Sequence, residues 1–180
     1  MGLSPFADDD VFDPDDAFVP EHVPEPGPFL ADHRVLDGEK HVAFHRLTHE
    51  LFEARTVYDV TFGYNLARLN LDTRHPEAGY RYAEENADVL RAEFTPTTEF
   101  CPQTGTLSLG SFRAWNGLRS RHDYDLVRVR VHPMHQEAPF VNDRLSAIET
   151  RFEETGSLED LPERIGGSGG GGRDGSQSPF

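Results

Sequence analysis

An α+β fold, with helices packed on a small mixed sheet, is the class predicted for this chain of 180 residues. Three patterns carry that prediction. Ala43, Phe44, Leu47, Leu51 and Ala54 recur at helical spacing, and Val141, Leu145, Ile148 and Phe152 form a second stripe of the same kind. Val127, Val129 and Val131 alternate with Arg128 and Arg130, the period of a half-exposed strand. The order that emerges is helix, strand, strand, helix, strand, helix, a compact unit with helices on one face of the sheet.

The first helix is expected from about residue 39 to 55. Opposite its apolar stripe, His41, His45 and His49 stand at i, i+4 and i+8, each turned about 40° from the last because a helical turn takes 3.6 residues. Two histidines so spaced can share a metal ion. Three drift round the helix, and further ligands must then come from Glu50, Glu53 or elsewhere; a solvated polar stripe is the other reading.

Val57 to Asp72 reads as a strand broken near Gly63, with Tyr58, Val60 and Phe62 alternating before the break and Leu69 and Leu71 after it. Residues 73–86 carry turn formers and charge. Val89 to Thr95 reads as the next strand, so the pair is expected to form an antiparallel hairpin with a long connection. Leu107, Phe112, Trp115 and Leu118 mark a helix within 105–118, and a last helix runs from about Pro139 to Glu154 with proline in its first turn.

Residues 38–160 are therefore expected to form the domain. Residues 1–37 are acidic and proline-rich and read as a flexible leader, although Phe6, Phe12, Phe18 and Phe29 offer side chains able to dock on the domain or on a partner. Residues 161–180 read as a Gly/Ser-rich tail.

Charge narrows the function classes. With 17 basic and 32 acidic residues the net charge is −15, which disfavours a nucleic-acid partner. Lys40 is the only lysine, and such an acidic, lysine-poor surface resembles those of salt-adapted (halophilic) cytoplasm. No apolar run reaches membrane-spanning length and no secretory leader is apparent, so a soluble cytoplasmic protein is expected.

Cys101 is the only cysteine. It falls between a strand and a helix, where unpaired N–H groups and the positive dipole end favour a thiolate. A single thiol excludes an internal disulfide framework and any all-cysteine metal site within one chain. Three uses stay open: a thiol that assists other proteins, an enzyme nucleophile with a histidine base, and a small buried residue in a plain interaction module.

The run from Arg91 to about Glu154 resembles the PaaD/SufT-like family of iron–sulfur assembly proteins, related to the eukaryotic cytosolic assembly targeting component. The resemblance rests on Glu93-Phe94-Thr95-Pro96-Thr97 followed by Cys101-Pro102, on Thr106-Leu107-Ser108-Leu109 opening a helix, and on Val127 to Val131, His132-Pro133, His135, Glu137 and Val141-Asn142 through Leu145. The family's aspartate-proline-glutamate after the first helix is absent; Glu53-Ala54-Arg55-Thr56-Val57 stands there instead, the mark of a divergent member. The resemblance implies a non-enzymatic factor that matures or targets iron–sulfur proteins, with client apoproteins and assembly factors as partners and a homodimer allowed. It implies no tightly bound cofactor: one thiolate can take part only transiently in holding iron or a cluster.

On this reading Cys101 is the principal site residue. Thr97 and Asn142 shape the loop by hydrogen bonding, Pro102 fixes the helix entrance, and His135 with Glu137 approaches Cys101 as ligand or as modulator of the thiol. The competing reading of His132 and His135 is that they cap backbone groups in a turn.

Overall fold

The structure, a computed structural model, describes residues 11–159 and residue 161. The elements are β1 (Arg34–Val35), α1 (Gly38–Arg55), β2 (Tyr58–Asp59), β3 (Tyr64–Asn65), a 3-10 run (Leu66–Leu71), β4 (Gly79–Glu84), β5 (Val89–Thr95), α2 (Thr104–Gly117), β6 (Leu126–Val131) and α3 (Ala138–Thr155). The main sheet has the order β1-β4-β5-β6, while β2 and β3 form a separate ribbon. β4 is antiparallel to β1 and β5, whereas β5 and β6 run parallel with Ala92 opposite Val129. The α+β class, the strand at 89–95 and the helices after Cys101 and after His135 stand as expected.

Three local readings change. Val57 to Asp72 is not one strand: the Asp59 carboxylate accepts the N–H groups of Thr61 and Phe62, Gly63 turns at φ +76°, and Asn65 caps the 3-10 run by accepting from the Ala67 N–H. Leu66 and Leu69, three apart, are the buried pair there, so the period is that of a 3-10 turn. Residues 73–86 contain β4, and β4 rather than 57–72 pairs with β5. Its Tyr80-Arg81-Tyr82 run disguised it, because Arg81 is buried instead of solvated: it donates to the Pro24 carbonyl and to the Asp37 carboxylate.

The third change is the rotation of α1. Its inward stripe is His41, Phe44, His45, Thr48, Leu51 and Phe52, while Ala43 and Ala54 are exposed. A helix can turn polar residues inward only where each finds a partner. Thr48 accepts from the Trp115 indole at 3.0 Å, and His45 sits 2.6 Å from both the Tyr82 hydroxyl and the Ala67 carbonyl.

Tyr80, Tyr82, Ala92, Phe94 and the three valines of β6 line the core face of the sheet beneath α1 and α2. Trp115 is the hub, with ring centroids 4.9 Å from Tyr80 and 5.1 Å from Phe52. α3 packs along β6 and against α2, where Phe152 meets Phe112 edge-on at 5.8 Å.

Strand edges expose unpaired N–H and C=O groups, and three asparagine amides occupy them. Asn70 bonds both the N–H and the C=O of Tyr80, Asn116 does so for Val127, and Asn142 for Val131. Asn142 therefore completes β6 rather than shaping the Cys101 loop.

The far face of the sheet is polar, and within the described part of the expected leader, residues 11–37, the run from Pro24 to Phe29 lies across it, while Phe12 packs on Tyr64 and Arg68 and Phe18 on His41. Val23, Leu30 and Leu36 of this strap are buried. Phe29 stacks beneath the Arg91 and Arg130 guanidinium groups at 4.6 and 5.2 Å, and the N–H groups of Gly27 and Phe29 donate to the Glu93 carboxylate. The packed unit thus reaches back to at least residue 11. At the other end Leu161 is buried and its carbonyl accepts from Arg113; Phe6 and the tail from 162 lie outside the described residues.

Candidate functional site

Because β5 and β6 run parallel, the loops that follow them emerge at the same end of the sheet. The first, 96–103, holds Cys101; the second, 132–137, holds His135. Within the first, the Thr98 hydroxyl accepts from the Phe100 N–H and the Thr98 carbonyl from the Cys101 N–H. Thr98, not Thr97, bends the chain here, and Thr97 is half-buried beside it.

α2 opens at Thr104, with Gln103 at its cap, so Pro102 precedes the helix and is exposed. The Cys101 carbonyl, at 3.1 Å, receives the Thr104 hydroxyl. Cys101 itself is half-buried, neither entombed nor fully open.

His135 does reach Cys101, but at the backbone. Its Nε2 donates to the Cys101 carbonyl at 2.9 Å and its Nδ1 accepts the Glu137 N–H at 3.0 Å, so both ring nitrogens are committed. His132 likewise accepts from the Met134 N–H. The turn-capping reading of both histidines is the one the geometry supports, and His135 has no lone pair left to take a proton from the thiol. Glu137 contributes its backbone to this turn at the cap of α3.

The Cys101 loop is clamped from both sides. On one, His135 holds Cys101 and the Gln136 N–H donates to the Glu99 carbonyl at 2.8 Å. On the other, the Gln103 amide accepts from the Val60 N–H at 3.1 Å and donates to the Thr61 hydroxyl. Three loops are thereby joined into one surface, at the ends of β2, β5 and β6.

That surface has a distinctive composition. Among the described residues the large hydrophobic side chains classed as exposed are Val60, Phe100 and Met134, at 79%, 65% and 37% exposure, one on each of the three loops. An apolar side chain in solvent forgoes its transfer energy, and the three stand on loops that hydrogen bonds tie together. Sequence patterning missed them because Val60 and Phe100 resemble strand and core residues. Gln103, the clamp, carries no signal at all.

The three histidines of the stripe are not gathered at one point. His41 and His45 stack at 5.4 Å with their planes 12° apart, deep under the strap, while His49 is exposed. Burial, with the neighbouring His45 and Arg81 adding to it, holds His41 down to about 2; burial holds His45 down to about 4. Both are therefore neutral rings near pH 7. No group of three or more His, Cys, Asp or Glu side chains is placed to hold a metal ion among the described residues. Next to this stripe lies a cavity of about 350 Å³ lined by Phe12, Asp13, His45, Arg46, His49 and Arg68, remote in sequence from the Cys101 loop.

No described helix is long and apolar enough to cross a membrane. No curated protein and no solved structure matches the chain. One family model does, over residues 10–159, taking in the strap, the sheet and all three helices. By that match the chain belongs to the family described as a domain of unknown function, DUF7998.

Proposed function

We propose that this protein is a non-enzymatic factor that docks other proteins on the face around Cys101, and that its clients are iron–sulfur proteins in the course of maturation. One observation carries the docking role: the exposed apolar side chains Val60, Phe100 and Met134 sit on three loops tied together around a half-buried cysteine. The iron–sulfur setting comes from the resemblance of residues 91–154 to the PaaD/SufT-like proteins.

The chemistry open to the face is limited. One thiol supplies one of the several ligands a cluster requires, so iron or a cluster is cargo here, met by Cys101 only while a client is docked. Ligation releases the thiol proton. A cysteine nucleophile would need a base, and His135 has both nitrogens engaged with backbone groups.

Affinity capture with the wild type, Cys101→Ala and Phe100→Ser from a lysate of cells making iron–sulfur enzymes tests both halves. Apo iron–sulfur proteins are expected with the wild type, and to be lost with Phe100→Ser. Equal recovery with Phe100→Ser removes the face from the proposal, and recovery of proteins lacking iron–sulfur centres removes the setting.

A further inference from the structure

The strap and the Cys101 face meet at Gly27. A Cβ at this position would stand 2.6 Å from Glu93 Oε2 and 2.6 Å from His132 Cδ2, so the strap passes hard against both side chains. Glu93 lies two residues before the end of β5, and its buried carboxylate accepts the Gly27 N–H at 2.6 Å and the Phe29 N–H at 3.4 Å. His132 opens the loop after β6. Its N–H donates to the Phe94 carbonyl at 2.8 Å, its Nδ1 accepts the Met134 N–H at 2.9 Å, and its carbonyl accepts the His135 N–H at 3.1 Å. His135 in turn holds the Cys101 carbonyl, and the Gln136 N–H holds that of Glu99. An unbroken run of contacts therefore leads from Gly27 through His132 and His135 to the Cys101 loop.

We infer that the strap is a latch on the Cys101 face. With Gly27 seated on Glu93 and His132, the His132 ring is fixed, the 132–137 loop keeps its turn, and Cys101 stays half-buried; with the strap lifted, the ring is released and the thiol is uncovered. The seat is made of polar bonds on the outer surface of the sheet, from Gly27 and Phe29 to Glu93 and from Arg91 to the Phe29 carbonyl at 2.9 Å. A segment held in this way opens at lower cost than the apolar core. Coupling between two sites is reciprocal, so an occupant of the face that prefers the seated loops also holds the strap down. The latch adds a control to the site of the proposed docking role, but thiol reactivity reports it whether or not a client binds.

The test measures the rate at which N-ethylmaleimide alkylates Cys101 in the folded full chain, with amide exchange at positions 27 and 29 followed alongside. Gly27→Ala should speed both, alkylation by at least about fivefold, the lower end of coupling between linked sites. His132→Asn keeps an acceptor for the Met134 N–H but withdraws the ring from Gly27, and on that background Gly27→Ala should no longer alter alkylation. Leu51→Ala, a truncation in the core beneath α1, should leave alkylation within about twofold of the wild type. Fast exchange at 27 and 29 with unchanged alkylation overturns the latch. Equal acceleration by Leu51→Ala does so too, as general loosening, and an effect that persists with His132→Asn overturns the route through the ring. Unchanged exchange in Gly27→Ala overturns the seat itself. Should Gly27→Ala not fold, Glu93→Ala, which removes the acceptor of both strap N–H groups without adding an atom, is read by the same outcomes. Client capture with Phe100→Ser is a separate measurement, so failure of the latch and failure of the docking role are told apart.

Discussion

The two outer surfaces of the sheet invert the usual distribution of side chains. On the far face Arg81 and Glu93 are buried at 7% and 1% exposure beneath a strap that meets them with carbonyls, N–H groups and a phenylalanine. At the Cys101 end Phe100 and Val60 stand in solvent with nothing over them among the described residues. Burying a charge is costly unless it is paired, and exposing an apolar group forgoes its transfer energy. The first surface already has its partner within the chain; the second is the one we propose for a partner from outside.

The sharpest way to break this contrast is acid. His41 and His45 are neutral under the strap with folded values of about 2 and about 4 against an ordinary 6.5. Because those values are depressed, the unfolded chain binds the protons first. The stability is complete above pH 6.5 and is lost as pH falls from there, toward 4 for His45 and toward 2 for His41, by about 1.4 kcal/mol per pH unit for each ring. Burial pushes the Glu93 carboxyl up, which acts in the opposite sense at the low end of this window. Urea unfolding at pH 7 and pH 5 should therefore differ by several kcal/mol, and His45→Gln should flatten the dependence; equal stabilities at both pH values would refute buried neutral rings.

Next in size is the strap's own anchor. Leu30 is fully buried, so Leu30→Ala should cost about 2–4 kcal/mol in urea unfolding, and a cost near zero would show that the strap does not hold the sheet. Smaller is Gly27→Ala. A Cβ at this position meets the Glu93 carboxylate and the His132 ring, both at 2.6 Å, and should cost about 1–3 kcal/mol as the strap lifts. Amide exchange at Gly27 and Phe29 reports that movement directly.

Smallest is the other surface. Phe100→Ser and Met134→Ser should change stability by less than about 0.5 kcal/mol, because both side chains are exposed, Met134 the less so. A larger loss in thermal unfolding would mean that these residues serve the fold and not a partner.

How far the elements were legible follows from what held them. β6, α2 and α3 show in sequence because their valines, aromatics and leucines keep one period from end to end. β4 did not show, since its middle residue is an arginine whose partners, Pro24 and Asp37, lie more than forty positions away. α1 was legible as a helix but not in its rotation, which depends on the Trp115 N–H, the Tyr82 hydroxyl and the Ala67 carbonyl serving as hydrogen-bond partners for Thr48 and His45 on its inner stripe. The Cys101 site was legible as a strand, loop and helix with a histidine nearby. That the histidine grips a carbonyl was not.

Composition and periodicity alone determined the α+β class, the acidic surface, the lone thiol and the helices after Cys101 and His135, all properties of neighbouring residues. Tertiary structure decided which face of α1 turns inward, that residues 11–37 are part of the packed unit, and that Val60, Phe100 and Met134 share one surface. Each of those depends on hydrogen bonds and contacts between segments distant in the chain, and their energies exist only once the sheet has brought the partners together.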